Sequence, residues 1–422
     1  MAKRIQPRTG PHRMLALAAL TGALTGLAVS GFEQVAGNWL LEWTVSRATP
    51  LAVVTPVAGI VLATLALRFL ARGASGATAD AYLDAYHRTG GDLPAGPVGG
   101  RMAAATATLG LGGSLGFEGP SIYLGAAIGS FVRRRFPRLV AAGEERTLLV
   151  AGAAAGVAAI FKAPATGAVF ALEVPYQEDT AAHAVGPAVV AAASSYLVYV
   201  AFHGTERIVP AAGVPALDAR TLVGALIVGL VAGIGARGFA AAVRAAKHLP
   251  ERFPATVRIA VAGTALVGLG TLAHAAFGEP LTLGSGLAAI EWTETAERSV
   301  ALLVALLALR AAATTCTLAA GGVGGVFIPL FVEGWVLGAA IAELVGSDTM
   351  LLPVIGAAAF LGAGYRTPIA AVVFVAERTG RAGYVVPALL AVAVAQILMG
   401  SRSVSGSQLP RRSEPTAPAP PD

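Results

Sequence analysis

Apolar residues along this chain come in long runs separated by short polar stretches. The runs at 14–30, 51–70, 182–202, 219–235, 298–318 and 382–399 each approach the ~20 apolar residues that carry a helix across a hydrocarbon core. Shorter runs at 119–131, 148–160 and 164–174 are interrupted by Gly and Pro. They predict broken or re-entrant helices, which are tolerated at membrane depth only where protein or a water-filled cavity covers the freed backbone groups. Polar stretches at 73–95, 204–218 and 275–297 predict loops or partly ordered connections. The pattern as a whole predicts an all-α polytopic membrane protein with its membrane domain over 14–400.

The broken runs recur. Residues 150–173 read VAGAAAGVAAIFKAPATGAVFALE, and residues 354–377 read VIGAAAFLGAGYRTPIAAVVFVAE. At a fixed offset of 204, ten of 24 positions are identical, among them Gly152/Gly356, Pro164/Pro368, Phe170/Phe374 and Glu173/Glu377. Upstream, Glu118-Gly119-Pro120 followed by LGAAI has a looser echo in Phe327-Ile328-Pro329 followed by LGAAI. Small apolar residues recur by chance in any Ala-rich chain, but Pro, Phe and Glu in register do not. The repeat predicts two related halves, roughly 14–200 and 219–400. Broken helices in paired halves are an arrangement of transporters, with the substrate site where the halves meet.

Composition agrees with the membrane reading. The chain is 55% hydrophobic and 13% charged, with a mean hydropathy of +0.70, against about 25% charged residues in soluble domains. Basic residues cluster in the N-terminus (1–13), at 131–138 and at Arg402, Arg411 and Arg412. Lys and Arg flanking spans favour the cytoplasmic side, so both termini are expected on the cytoplasmic side of a cell inner or plasma membrane. The net charge of +6 therefore needs no nucleic-acid partner. Residues 14–30 lack the cleavage region of a signal peptide. The segment 401–422 is rich in Ser and Pro and predicts a disordered tail. Cys316 is the single cysteine, which excludes an intrachain disulfide and reads as a small buried thiol. The six histidines are scattered with no pair at ligand spacing, so no metal site is indicated, no cofactor is called for, and no catalytic dyad suggests an enzyme. Trp39, Trp43, Trp292 and Trp335 are candidate markers of the interfacial level.

One charge changes the picture. Glu118 is the only charged residue in the segment 110–129, GLGGSLGFEGPSIYLGAAIG. A carboxylate among apolar spans is costly and by default marks a pathway. Three glycine-rich segments precede helix-like runs: 73–76, 116–120 and 324–329. Helix N-termini expose unpaired amides with partial positive charge, which suits an anion. Glycine admits close approach and proline fits the first helical turn. Tight packing through small residues explains any one of these segments as well. Three together, one bearing a hydroxyl and one a lone carboxylate, point to an anion path.

At these residues the chain resembles the CLC family of chloride channels and chloride/proton exchangers. GFEGP at 116–120 resembles the family's GREGP segment, and 152–173 its GAAAG…NAP stretch. GGVFIP at 324–329 is similar to GGIFAP, and ASGAT at 74–78 is a degenerate version of GSGIP. The resemblance covers roughly 15–400 and implies inverted halves, a homodimer in the lipid bilayer and an independent anion path in each subunit. It implies that Ser75 donates its hydroxyl to a central chloride, that the amides of Val326 and Phe327 complete that site, and that amides from Phe117 to Gly119 line an outer one. Glu118 becomes the gating, proton-binding carboxylate, competing with the anion for the same amides. Burial and helix dipoles act on its proton affinity in opposite senses.

Four positions depart from the family pattern. Phe117 stands in place of an arginine, and Lys162 in place of an asparagine. Lys162 either compensates in field or extends its amine to the interface. Val174 occupies the position of the exchangers' inner proton-relay glutamate, with Glu173 one residue away as a candidate substitute. Val404 stands where many members place a tyrosine. The implied function is chloride transport, as chloride/proton exchange or as a passive channel with a proton-sensitive gate. A transporter for a larger organic anion and a membrane scaffold or enzyme are the competing classes. The tail is too short for the nucleotide-binding modules that some members append.

Overall fold

The computed structural model describes residues 11–205, 218–347 and 350–411, and every statement of structure below concerns those. The first half comprises α1 (Pro11–Glu33), which continues as a π-helical segment (Gln34–Leu41) into α2 (Glu42–Val45). It proceeds through α3 (Thr49–Phe69), α4 (Thr78–Arg88), α5 (Val98–Gly110), α6 (Glu118–Arg135), α7 (Thr147–Phe161), α8 (Pro164–Glu173) and α9 (Val185–His203). The second half comprises α10 (Ala219–His248), α11 (Ala255–Phe277), α12 (Leu287–Glu294), α13 (Val300–Ala320), α14 (Phe327–Leu344), α15 (Leu351–Tyr365), α16 (Pro368–Thr379) and α17 (Val385–Met399). Eight helical stretches are long and apolar enough to cross a membrane. The protein is an all-α polytopic membrane protein built of two inverted halves with broken helices.

Glycines and alanines allow the helices to pack backbone to backbone. A Cβ at Gly152 of α7 would collide with the Gly125 carbonyl of α6, and one at Gly338 of α14 with the Leu352 carbonyl of α15. The same device joins α1 to α9 through Gly22 and Gly26, and α10 to α17 through Gly229 and Gly233. Each of these pairings has its counterpart in the other half. With lipid as apolar as the side chains, close van der Waals contact of this kind holds the helices together.

The basic residue shared by the repeat has a backbone role. Lys162 and Arg366 both adopt left-handed φ, 50° and 56°, as the residues that end α7 and α15. The amides that follow fold back, Ala163 N donating to Ala158 O and Thr367 N to Gly362 O. Pro164 and Pro368 then open α8 and α16 at the first helical position, where a missing N–H costs nothing. Glu173 and Glu377 close the arrangement reciprocally. Glu173 accepts the amides of Ile369 (3.1 Å) and Ala370 (2.7 Å) at the start of α16, and Glu377 accepts those of Ala165 (3.0 Å) and Thr166 (2.9 Å) at the start of α8.

Several sequence expectations change. Ala255–Phe277 and Phe327–Val345 are additional spans, diluted in the sequence by glycines and by single polar residues. The polar stretches 73–95 and 275–297 contain α4 and α12. Trp292 and Trp335 are core residues, 5% and 1% exposed, and only Trp39 and Trp43 are on the surface. Cys316 is half-buried. The disordered tail expected from 401 is corrected for 401–411: Ser403, Val404, Ser405 and Gln408 are buried, and Gln177 N donates to Leu409 O at 2.9 Å. Hydrogen bonds and the single buried apolar side chain of Val404 hold this segment, so hydropathy does not register it. Residues 1–10, 206–217 and 412–422, including most of the basic N-terminus and the rest of the tail, lie outside the described residues.

Candidate functional site

The loops before α6 and α14 meet at the centre of the molecule. Gly116 N donates to Gly325 O (2.9 Å) and Gly325 N to Gly116 O (2.7 Å), an isolated antiparallel bridge between the halves. Threonines pin both loops. Ser114 N donates to Thr317 Oγ1 at 3.2 Å, and Val323 N to Thr108 Oγ1 at 3.0 Å. This fixes the first residues of two helices at the same place: Glu118 opens α6 and Phe327 opens α14.

The Glu118 carboxylate is fully buried. Its Oε1 accepts the Phe327 amide at 2.6 Å, one of the unpaired N–H groups that every helix start presents. Its Oε2 has no partner. The carboxylate thus lies on the positive end of α14, which stabilises a negative charge there. Glycine makes the room, since a Cβ at Gly116 or Gly325 would overlap the carboxylate. Four aromatic rings surround Phe327: Phe161 at 4.6 Å between centroids, Phe374 at 5.2 Å, Phe170 at 5.4 Å and Tyr365 at 6.2 Å.

This barrier separates two vestibules. The first, about 460 Å³, is lined by Arg68, Ser75, Thr78, Asp80, Lys247, Arg258, Gly325, Val326 and Tyr365 among others. The second, about 400 Å³, is lined by Glu33, Asn38, Phe117, Phe161, Lys162 and Ile328 among others. Three cations against one carboxylate make the first attractive to anions. Its carboxylate, Asp80, is neutralised by Lys247 at 2.8 Å. The pair also fastens the C-terminal segment: Ser405 Oγ donates to Asp80 Oδ1 (2.6 Å) and Lys247 Nζ to the Val404 carbonyl (3.2 Å).

The structure gathers most of the residues singled out from the sequence. Val326 and Phe327 form the start of α14 against Glu118, and Gly119 is packed against Gly325. Phe117 faces the second vestibule and packs against Phe32 with its ring tilted, 5.8 Å between centroids. Lys162 shares that vestibule but gives its amine to the His203 carbonyl at 2.9 Å, away from Glu118. Ser75 is exposed in the first vestibule, its hydroxyl accepting the Ala77 amide at 3.2 Å and its carbonyl accepting Arg101 Nε at 2.8 Å. Val174 is buried in a small cavity shared with Asp80, Phe170 and Tyr365. Val404 is fully buried. Glu173 is a helix cap, both oxygens engaged with α16. Sequence reading missed Thr78, Asp80, Lys247 and Tyr365. The signals present were Thr78 as the last residue of the 74–78 segment and the Phe161/Tyr365 pair of the repeat, which differs by one hydroxyl. Among the described residues no His, Cys, Asp and Glu cluster fits a metal.

Residues 58–400 match the family model described as voltage gated chloride channel. The chain is similar to a ClcB-like chloride channel protein of Ralstonia nicotianae, with 27% identity covering 97% of this chain and 99% of the relative. It is similar to the H(+)/Cl(-) exchange transporter ClcA of Salmonella typhimurium, with 29% identity over 92% and 87%. Among solved structures, a CLC-type fluoride/proton antiporter superposes with a TM-score of 0.81 at 24% identity, covering 94% of this chain and 98% of the other. A slow cyanobacterial Cl-/H+ antiporter superposes at 0.79 and 21%, covering 92% and 94%. At these identities the structural matches speak for the fold.

Proposed function

Because the chain belongs to the voltage-gated chloride channel family, we propose that this membrane protein exchanges chloride for protons, with Glu118 as the protonatable gate. The observation that carries the reading is the Glu118 carboxylate seated on the Phe327 amide, with one vestibule lined by Gly325 and Val326 and the other by Phe117 and Ile328. A charged carboxylate holds the amides that an anion needs. Protonation removes that charge, the side chain leaves, and chloride takes its place at the start of α14. The amides themselves stay fixed, since the Gly116–Gly325 bridge holds the loops. Flux therefore rises as pH falls. Chloride is the main anion, with bromide and nitrate tolerated, because amides and hydroxyls recognise a halide without a full cation partner.

Exchange also requires protons to reach Glu118 from the far side. Val174 carries none, and Glu173 is committed to capping α16. Water in the first vestibule is the remaining carrier, lined by polar groups able to order it. Basic residues towards both ends of the chain support cytoplasmic termini, and the tie between the C-terminal segment and Asp80 supports reading the first vestibule as cytoplasmic and the Lys162 vestibule as external. Relatives named as exchange transporters support exchange. The valines at 174 and 404 favour the second reading, a passive chloride channel with a proton-sensitive gate. Two copies are proposed to pair in the bilayer, each with its own path, and cross-linking in membranes tests that. The deciding experiment is the reversal potential of the purified protein in liposomes under a proton gradient. Protons driven uphill by chloride establish exchange. A potential that follows chloride alone at every pH establishes the channel.

A further inference from the structure

Two hydroxyls that no part of the reading above uses lie beside the gate. Thr78 is the first residue of the eleven-residue helix α4, 1% exposed, and its Oγ1 has no partner. Buried hydroxyls are nearly always satisfied, so this one needs a reason. It lines the first vestibule with Gly325 and Val326. The point where a Cβ on Gly119 would stand lies 2.9 Å from Thr78 Oγ1 and 3.0 Å from Gly325 N, so the hydroxyl abuts the glycine cradle that holds the Glu118 carboxylate. That carboxylate has its own unpartnered oxygen, Oε2.

Tyr365 ends α15 and comes from the other half. It is 3% exposed and lines both the first vestibule and the small cavity beneath it. Its phenol lies within reach of the Val326 amide and near both Glu118 and Asp80. Phe170, edge-on at 5.5 Å, and Phe327 fix the direction of its ring. The repeat-related residue Phe161 lines the opposite vestibule and carries no hydroxyl, so the donor exists on one side of the barrier alone. The residues expected from sequence are less well placed. Ser75 is exposed in the open part of the vestibule, and Val404 has nothing to donate.

We propose that the hydroxyls of Thr78 and Tyr365, one from each half, are ligands of the transported anion at the Glu118 gate. The inference rests on the reading that this chain carries chloride. A hydroxyl donates one hydrogen bond without a net charge, so two of them with the α14 amides bind a halide and still release it. Lys247 and Arg258 draw anions into the vestibule, and Asp80 is paired with Lys247. None of these charges replaces a donor at the gate.

The test uses full-length protein, with chloride binding by calorimetry in detergent and chloride, bromide and nitrate fluxes in liposomes. Thr78→Val and Tyr365→Phe are each expected to weaken chloride binding by about five- to tenfold, the loss of one hydrogen bond, and to change the chloride-to-nitrate flux ratio. Thr78→Ser keeps the hydroxyl and is expected to restore both. Ser75→Ala is expected to cost less than Thr78→Val. A purely structural Thr78 would lower the Tm and leave the flux ratio alone, which overturns the proposal. So does wild-type binding in both variants, or failure of Thr78→Ser to rescue. If the wild-type protein neither binds nor carries chloride, the transport reading falls first and this one with it. If it carries chloride and the variants match it, only this inference falls.

Discussion

Glu118 and Phe327 hold equivalent positions at the starts of α6 and α14, and the difference between them sets the chemistry. One half contributes the charge and the other the amide that receives it, at 2.6 Å. Glu118→Gln keeps the shape and removes the charge. Chloride flux is expected to persist, with its pH dependence and any proton coupling abolished, in a liposome assay from acid to neutral pH. Cessation of anion flux would instead assign the carboxylate a structural role. Glu173 and Glu377 are the contrasting case, acids whose partners are all structural. Glu173→Ala is expected to lower stability by about 1–3 kcal/mol, since the buried Ala370 amide loses its acceptor, and Glu377→Ala by less, because the Ala165 amide it holds is exposed. The pH dependence of flux should stay as in the wild type. A Glu173→Ala variant with normal Tm and lost coupling would return Glu173 to the proton path.

Among the elements, the α6/α7 and α14/α15 contacts have the least tolerance. Gly152→Ala drives a methyl into the Gly125 carbonyl, and overpacking of this kind costs about 1–3 kcal/mol or more. Gly31, with nothing within 4 Å of its would-be Cβ, should accept Ala with little change in thermal unfolding in detergent. Equal Tm values for the two variants would refute the backbone-contact account. The segment 403–409 behaves as an element without regular structure. Lys247, Asp80 and Ser405 fasten its front, and Gln408 Nε2 donates to the carbonyls of Val174 and Tyr365, both at 2.9 Å. Lys247→Met leaves Asp80 half-buried without its cation and frees the Val404 carbonyl. Loosening the inner end of the path is expected to raise chloride flux severalfold at neutral pH and to lower the number of protons moved per chloride. Unchanged flux and coupling would show that this latch does not bear on the path.

For the molecule as a whole, the sequence by itself determined the class and the halves, and it singled out Glu118 as the candidate gate. Long apolar runs, a gapless repeat and one carboxylate among glycines are local or periodic features, so a linear reading captures them. It also placed Val326, Phe327 and Gly119 correctly around Glu118, because helix starts announce themselves through Gly and Pro. It misplaced what depends on distant partners. The segment after 400 looked unstructured because its stabilising contacts lie on residues 80, 174, 247 and 364–365, far away in the chain. Trp292 and Trp335 looked interfacial because burial is a property of neighbours. From sequence Lys162 reads equally as a pathway charge or as an amine extended to the interface; the structure puts it at a helix end with left-handed φ, its amine on His203 O and its side chain along the second vestibule. Only the tertiary structure decided which hydroxyls lie buried near Glu118. Ser75 is exposed in the first vestibule, whereas Thr78 and Tyr365, one from each half, are buried along the same vestibule. A donor set is made by convergence in space, and no spacing along the chain encodes the distance between residues 78 and 365.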